Sequence, residues 1–249
     1  MVGGAAPVLS VGRALTLAGL LAALVTYCAS AHRLPGLPGG LDVAFLGIVV
    51  LPSFALAIWL ALPLARSAIR TLLGAAALTG IMALGLTALG AESGGNVAKL
   101  ATYGLLGFAF VALFEELWWI ALVAVLVPWV DIWSVAAGPT KYVIDQQPGF
   151  FERISIALPS PGEASILNIG PPDILFFALF LAASERFGLR VGWTWMGMTT
   201  LLATTLALVW AWDDVAGLPA LPAICLGFLL PNADLLLRHL REQRAPSPS

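Results

Sequence analysis

The sequence predicts an all-α, polytopic membrane bundle of about eight transmembrane helices. Two observations carry that expectation. The chain is 60% hydrophobic and only 10% charged over 249 residues, where a soluble domain carries about 25% charged residues. Its mean hydropathy is +0.95, and its apolar residues fall in runs near the roughly 20 residues needed to cross hydrocarbon. The same composition bounds function. The net charge is −2, and without a basic block nucleic acid has nothing to bind. Cys28 and Cys225 lie in apolar runs with no metal or disulfide spacing. His32 and His239 fall at span ends. No metal centre and no cofactor are therefore expected.

The runs justify the spans one by one. The first, 14–31, follows Arg13 and ends in Ala29-Ser30-Ala31, a pattern that imitates a secretory signal peptide. It is read as a retained span, with a cleaved signal as the alternative. Runs at 41–65, 69–90 and 97–114 complete an N-terminal region, 1–114, of four spans. A second region, 115–249, holds runs at 116–137, 164–184, 192–212 and 218–237. The longest connection, 138–163, carries Lys141, Asp145, Glu152, Arg153 and Glu163. Its loose apolar–polar alternation allows a short hairpin over the membrane.

Lys and Arg set the orientation. With eight spans, one side receives Arg13, Arg66, Arg70, Arg186, Arg190, Arg238, Arg241 and Arg244. The other receives Arg33, Lys99, Lys141 and Arg153. Both termini are therefore expected in the cytoplasm, with the 138–163 connection outside.

Most acids have a bland account. Glu115 and Glu116 complement a helix N-terminus. Asp213 and Asp214 are solvated after the seventh span. Asp234 lies four residues before Arg238, the spacing of a helical ion pair. Asp131, in "VPWVDIWSV", and Asp173, behind Pro171 and Pro172, have no such account. Counted along ideal helices, Asp131 lies about 6–9 Å and Asp173 about 13 Å from the outer ends of their spans. No cation shares that depth. A lone carboxylate in hydrocarbon costs several kcal/mol and marks function by default. Two can share one proton and titrate as a unit. One then activates water while the other hydrogen-bonds a scissile carbonyl. The two prolines and Gly170 are expected to break the sixth span just before Asp173. On its own, Asp173 could equally be the cap of the restarted helix. Pro219 and Pro222, in "LPALPAI" from Leu218, keep the start of the last span extended.

Val130-Asp131, Gly170-Pro171-Pro172-Asp173 and Pro219-Ala220-Leu221, in that order, resemble the motifs of the presenilin and signal peptide peptidase family of intramembrane aspartyl proteases. That family carries Tyr-Asp, Gly-x-Gly-Asp and Pro-Ala-Leu, and the "IWSV" after Asp131 is similar to its continuation. The resemblance covers about 115–237. It implies that Asp131 and Asp173 are a catalytic pair and that Gly170, Pro171, Pro172, Pro219, Ala220 and Leu221 shape substrate binding. Substrates would be transmembrane or signal-peptide helices within the lipid bilayer. Val130 in place of tyrosine, Pro172 in place of glycine and eight spans in place of nine depart from the pattern. They leave open a catalytically degenerate relative acting as a membrane binding protein. A proton-coupled transporter is the reading from another class, since broken helices and midplane acids also mark those. "FEELWW" is similar to the paired glutamates of CAAX-type proteases, but the later arginine and mid-span histidines are missing. The Gly-x-Ser-x-Gly of rhomboid proteases is also missing.

Overall fold

A computed structural model describes residues 9–138, 142, 146–211 and 219–244. Lys141, Asp145, Asp213, Asp214 and Leu218 lie outside the described residues. Among the described residues seven helices are long and apolar enough to cross a membrane, which makes this a membrane-embedded helical bundle. The elements run α1 (Val11–Ser30), α2 (Leu41–Arg66), α3 (Ile69–Ala88), α4 (Glu92–Phe110) and α5 (Leu117–Ala137). There follow a short α6 (Pro148–Ile154), strands β1 (Ile156–Ser160) and β2 (Glu163–Ile169), then α7 (Pro171–Arg186), α8 (Val191–Ala211) and α9 (Leu221–Arg244). The seven long spans overlap the apolar runs, although the fourth begins at Glu92 rather than 97 and the last helix continues to Arg244 rather than 237; the sixth differs in kind.

There the expected helix over 164–184 is replaced by two elements. Residues 163–169 form β2, antiparallel to β1, with Ile156 opposite Ile169 and Leu158 opposite Leu167. Gly162 turns the hairpin at φ +89°, a conformation that L side chains rarely adopt. The ladder pairs the facing backbone groups of the two strands, and side chains of the bundle take outward carbonyls such as those of Ala157 and Pro159, so this stretch has no need of a helix. The hairpin allowed for within 138–163 thus lies further along, and helix rise does not measure the depth of Asp173.

α7 is the centre of the bundle. It packs against α4, α8 and α9, and Ile174 and the run Phe177 to Ser184 are buried. It is 16 residues long, shorter than the seven spanning helices. Glycine lets its neighbours come close. A Cβ on Gly107 of α4 would lie 2.4 Å from the Leu175 carbonyl oxygen of α7. Likewise Gly197 of α8 and Gly227 of α9 bring those backbones together, and a Cβ on Gly227 would sit 2.4 Å from the Met198 Cα. Inside a membrane such close approach, rather than exclusion of water, drives helix association.

The two ends of the bundle differ. At one end arginines tie the helices together. Arg13 donates to the Leu60 carbonyl (2.8 Å) and the Trp59 carbonyl, Arg66 pairs with Glu185 (2.9 Å), and Arg186 donates to the Val111 carbonyl (2.6 Å). Asp234 pairs with Arg190 through two hydrogen bonds of 2.7 and 2.8 Å, in place of the expected Arg238. Two parallel N–H···O bonds between a planar guanidinium and a carboxylate add geometric specificity as well as energy. The hairpin occupies the other end. Its turn is held where the Gly162 N–H donates to the Ala31 carbonyl at 2.9 Å.

Gly227→Ala is expected to destabilise the protein by about 1–3 kcal/mol through overpacking. Gly74→Ala, where an added Cβ meets nothing within 4 Å, should be neutral or slightly stabilising. Thermal unfolding of both variants in one detergent checks the contrast.

Candidate functional site

The passage from β2 into α7 sets the position of Asp173. Gly170 is extended, at φ −70° and ψ 154°, and Pro171 and Pro172 occupy the first two positions of the helix. Proline suits them, because a first-turn N–H has no intrahelical acceptor anyway. Asp173 follows in the same turn. Its Oδ2 accepts the Gly170 N–H at 3.1 Å, and its own N–H donates to the Gly170 carbonyl at 3.2 Å. In place of the expected broken helix, α7 starts at Pro171 directly behind a strand. The capping role of Asp173 is present.

Asp131 approaches from α5. That helix is buried only at Leu117, Ile120 and Ala124, and around Asp131 it presents Trp129, Val130, Ile132 and Trp133 outward. Its packed side lies against α9. There Asp131 Oδ2 accepts the N–H of Leu221 at 3.0 Å. Leu221 is the first residue of α9, so its N–H is one of the orphan donors of a helix start. An acid on one helix thus caps another, at the third of the motif segments.

α9 also packs on α7, and this brings the three segments to one end of the bundle. Asp131 and Asp173 are close enough for the charge of one to act on the other. Both are half-buried. The second oxygen of each, Oδ1, accepts no hydrogen bond among the described residues. Neither acid has an ion-pair partner among them. Pro172 is exposed, whereas Gly170, Pro171, Pro219 and Ala220 are half-buried and Leu221 is buried. Cys225, one turn along α9 and 1% exposed, lies within electrostatic reach of Asp131.

One set of residues at this end was not singled out in the sequence. Asn96, Lys99 and Tyr103 fall at helical spacing on α4, on one face. Each captures a backbone carbonyl at the start of the hairpin. Tyr103 Oη donates to Ile154 (2.7 Å), Lys99 Nζ to Ser155 (2.8 Å) and Asn96 Nδ2 to Ala157 (3.3 Å). Tyr27 of α1 donates to the Pro159 carbonyl at 2.8 Å. Lys99, counted among the outer-side charges at the start of the fourth run, is instead buried. The available signal was its spacing with Asn96 and Tyr103, three polar residues on one face of an apolar run.

Compared with protein families, curated proteins and solved structures, the chain matches none. The likeness to presenilin and signal peptide peptidase rests on the three short motifs.

Tyr103→Phe removes one of the four side-chain clamps on the hairpin and leaves the Ile154 carbonyl unpaired. A loss of about 1 kcal/mol is expected, seen as roughly fivefold faster amide hydrogen exchange across 156–169. Exchange in α8 should not change.

Proposed function

We propose that this chain is an intramembrane aspartyl protease, hydrolysing peptide bonds in transmembrane or signal-peptide helices. The observation that carries the reading is the convergence of Asp131, Asp173 and the start of α9. Three segments that are distant in sequence meet at one end of the bundle, and each carboxylate keeps one oxygen uncommitted. In this mechanism the pair holds a single proton. The ionised carboxylate takes a proton from water as the water attacks. The protonated one hydrogen-bonds the scissile carbonyl and stabilises the oxyanion. The proton then passes to the leaving amine. No cofactor is required.

The eight-span topology belongs to the same reading. α7 runs from the hairpin end, at Gly170, to the arginine end, where Arg186 donates to Val111. Counted as a crossing it makes eight, and both termini then lie on the arginine side, in the cytoplasm of a cell-membrane protein. Substrate direction follows. A site that pairs with an extended peptide reads the fixed order of its N–H and C=O groups. Spans with a cytoplasmic N-terminus fit this orientation.

A non-catalytic reading has its own support. Asp173 caps α7 and Asp131 caps α9, and a cap needs no chemistry. Exposed Pro172 also stands where the family has glycine, beside the path of the substrate backbone. Mutation separates the readings. Asp131→Ala and Asp173→Ala should each abolish cleavage of a helical membrane substrate, with the double variant no worse, as expected of residues acting as a unit. Substantial cleavage by either single variant would remove the dyad. Unchanged stability in both would remove the capping account, which expects a loss of about 1 kcal/mol.

Orientation has a separate test. Paired reporters bearing one span in opposite directions should be cut only when the N-terminus is cytoplasmic, and only by protein that retains Asp173. Asp173-dependent cleavage of the inverted reporter alone contradicts it.

A further inference from the structure

Away from the two acids, a cavity of about 740 Å³ opens between α3, α4 and the C-terminus of α6. Its α3 wall is mostly apolar and small, with Gly80, Ala83, Leu84 and Ala88 beside the single polar Thr87, and Leu84 is 74% exposed. Its other wall carries Lys99, Thr102, Tyr103 and Arg153. Lys99 is 8% exposed and lies seven residues, about 10 Å, into α4 from Glu92. Of its three N–H donors, one goes to the Ser155 carbonyl. Glu92 is within electrostatic reach, yet Lys99 has no ion pair among the described residues. Arg153 at the mouth is exposed and has no ion pair among them either. No acidic residue is among those lining the cavity.

A buried ammonium with spare donors at this depth is costly unless an anion meets it. We propose that the cavity binds the anionic phosphodiester headgroup of a membrane lipid. Lys99 and Arg153 would hold the phosphate, and an acyl chain would lie along Gly80 and Leu84. A phosphate bound by two cations and flanked by an apolar wall open to lipid describes an amphiphile rather than a free ion. Lys99 also holds the Ser155 carbonyl, so the headgroup would sit beside the root of the hairpin that leads into Asp173. The proposal is independent of proteolysis, since neither carboxylate takes part.

The test uses the full-length protein in neutral detergent, titrated with fluorescent phosphatidylglycerol and, separately, with phosphatidylcholine bearing the same chains. Phosphatidylglycerol should bind about tenfold more tightly. Arg153→Gln should remove that preference, as should Lys99→Met where it folds. Arg33→Gln, an exposed arginine outside the cavity, should leave the preference intact. Inorganic phosphate at millimolar concentration should not displace the lipid. Equal binding of the two lipids by the wild type overturns the proposal, and so does an undiminished preference in Arg153→Gln. An equal loss in Arg33→Gln assigns the effect to general surface charge and overturns it. Displacement by inorganic phosphate assigns the site to a free anion and overturns the lipid.

Discussion

The hairpin end depends on one constraint: the chain must pass from β-ladder to helix at a single residue, Gly170, with Pro171 and Pro172 opening the helix. A strand ends where its N–H groups stop pairing, and two consecutive prolines supply none. A helix begins most easily where its first N–H groups have no demand, and the same two prolines meet that condition. Asp173 then accepts the remaining Gly170 N–H at 3.1 Å. The carboxylate is fixed by the transition itself. It does not depend on the long connection that precedes the hairpin.

Holding the hairpin in place is the work of α4. Asn96, Lys99 and Tyr103 give hydrogen bonds to three carbonyls at its start, and Gly107, further along the same helix, admits the backbone of α7. One helix therefore positions both β1, the partner of the strand that ends at Gly170, and the helix that begins behind it. Non-helical backbone at membrane depth is tolerated only where protein satisfies it, and α4 meets that requirement. Its polar stripe faces the hairpin and the neighbouring cavity, so an apolar helix can carry a lysine with little exposed surface.

The opposite end is built on a different principle. Four arginines reach across helices to carbonyls and carboxylates. A buried network links Ser184, Thr194 and Asn232, with Asn232 Nδ2 donating to Thr194 Oγ1 at 2.7 Å. Pro231 lies inside α9, and its carbonyl accepts from Arg190. This end is stapled by direct charge-assisted bonds. At the hairpin end the two acids carry no cation among the described residues, which leaves their charge free to act on a third group.

Much was legible in the sequence because hydrocarbon imposes a simple rule. A run of about 20 apolar residues crosses as a helix, so the seven long spans could be read directly, as could the oddity of Asp131 and Asp173. The helix start just before Asp173 was equally local, because Pro171 and Pro172 carry it in their own covalent structure. Three features were decided only by tertiary structure. Residues 163–169 became a strand because β1 was there to pair with them. Asp234 pairs with Arg190 because the turn before α8 brings that guanidinium within two-bond reach of it. Lys99 was buried because the hairpin brought a carbonyl to it. Each depends on a partner distant in sequence, and apolar periodicity along one segment holds no record of which segment will face it.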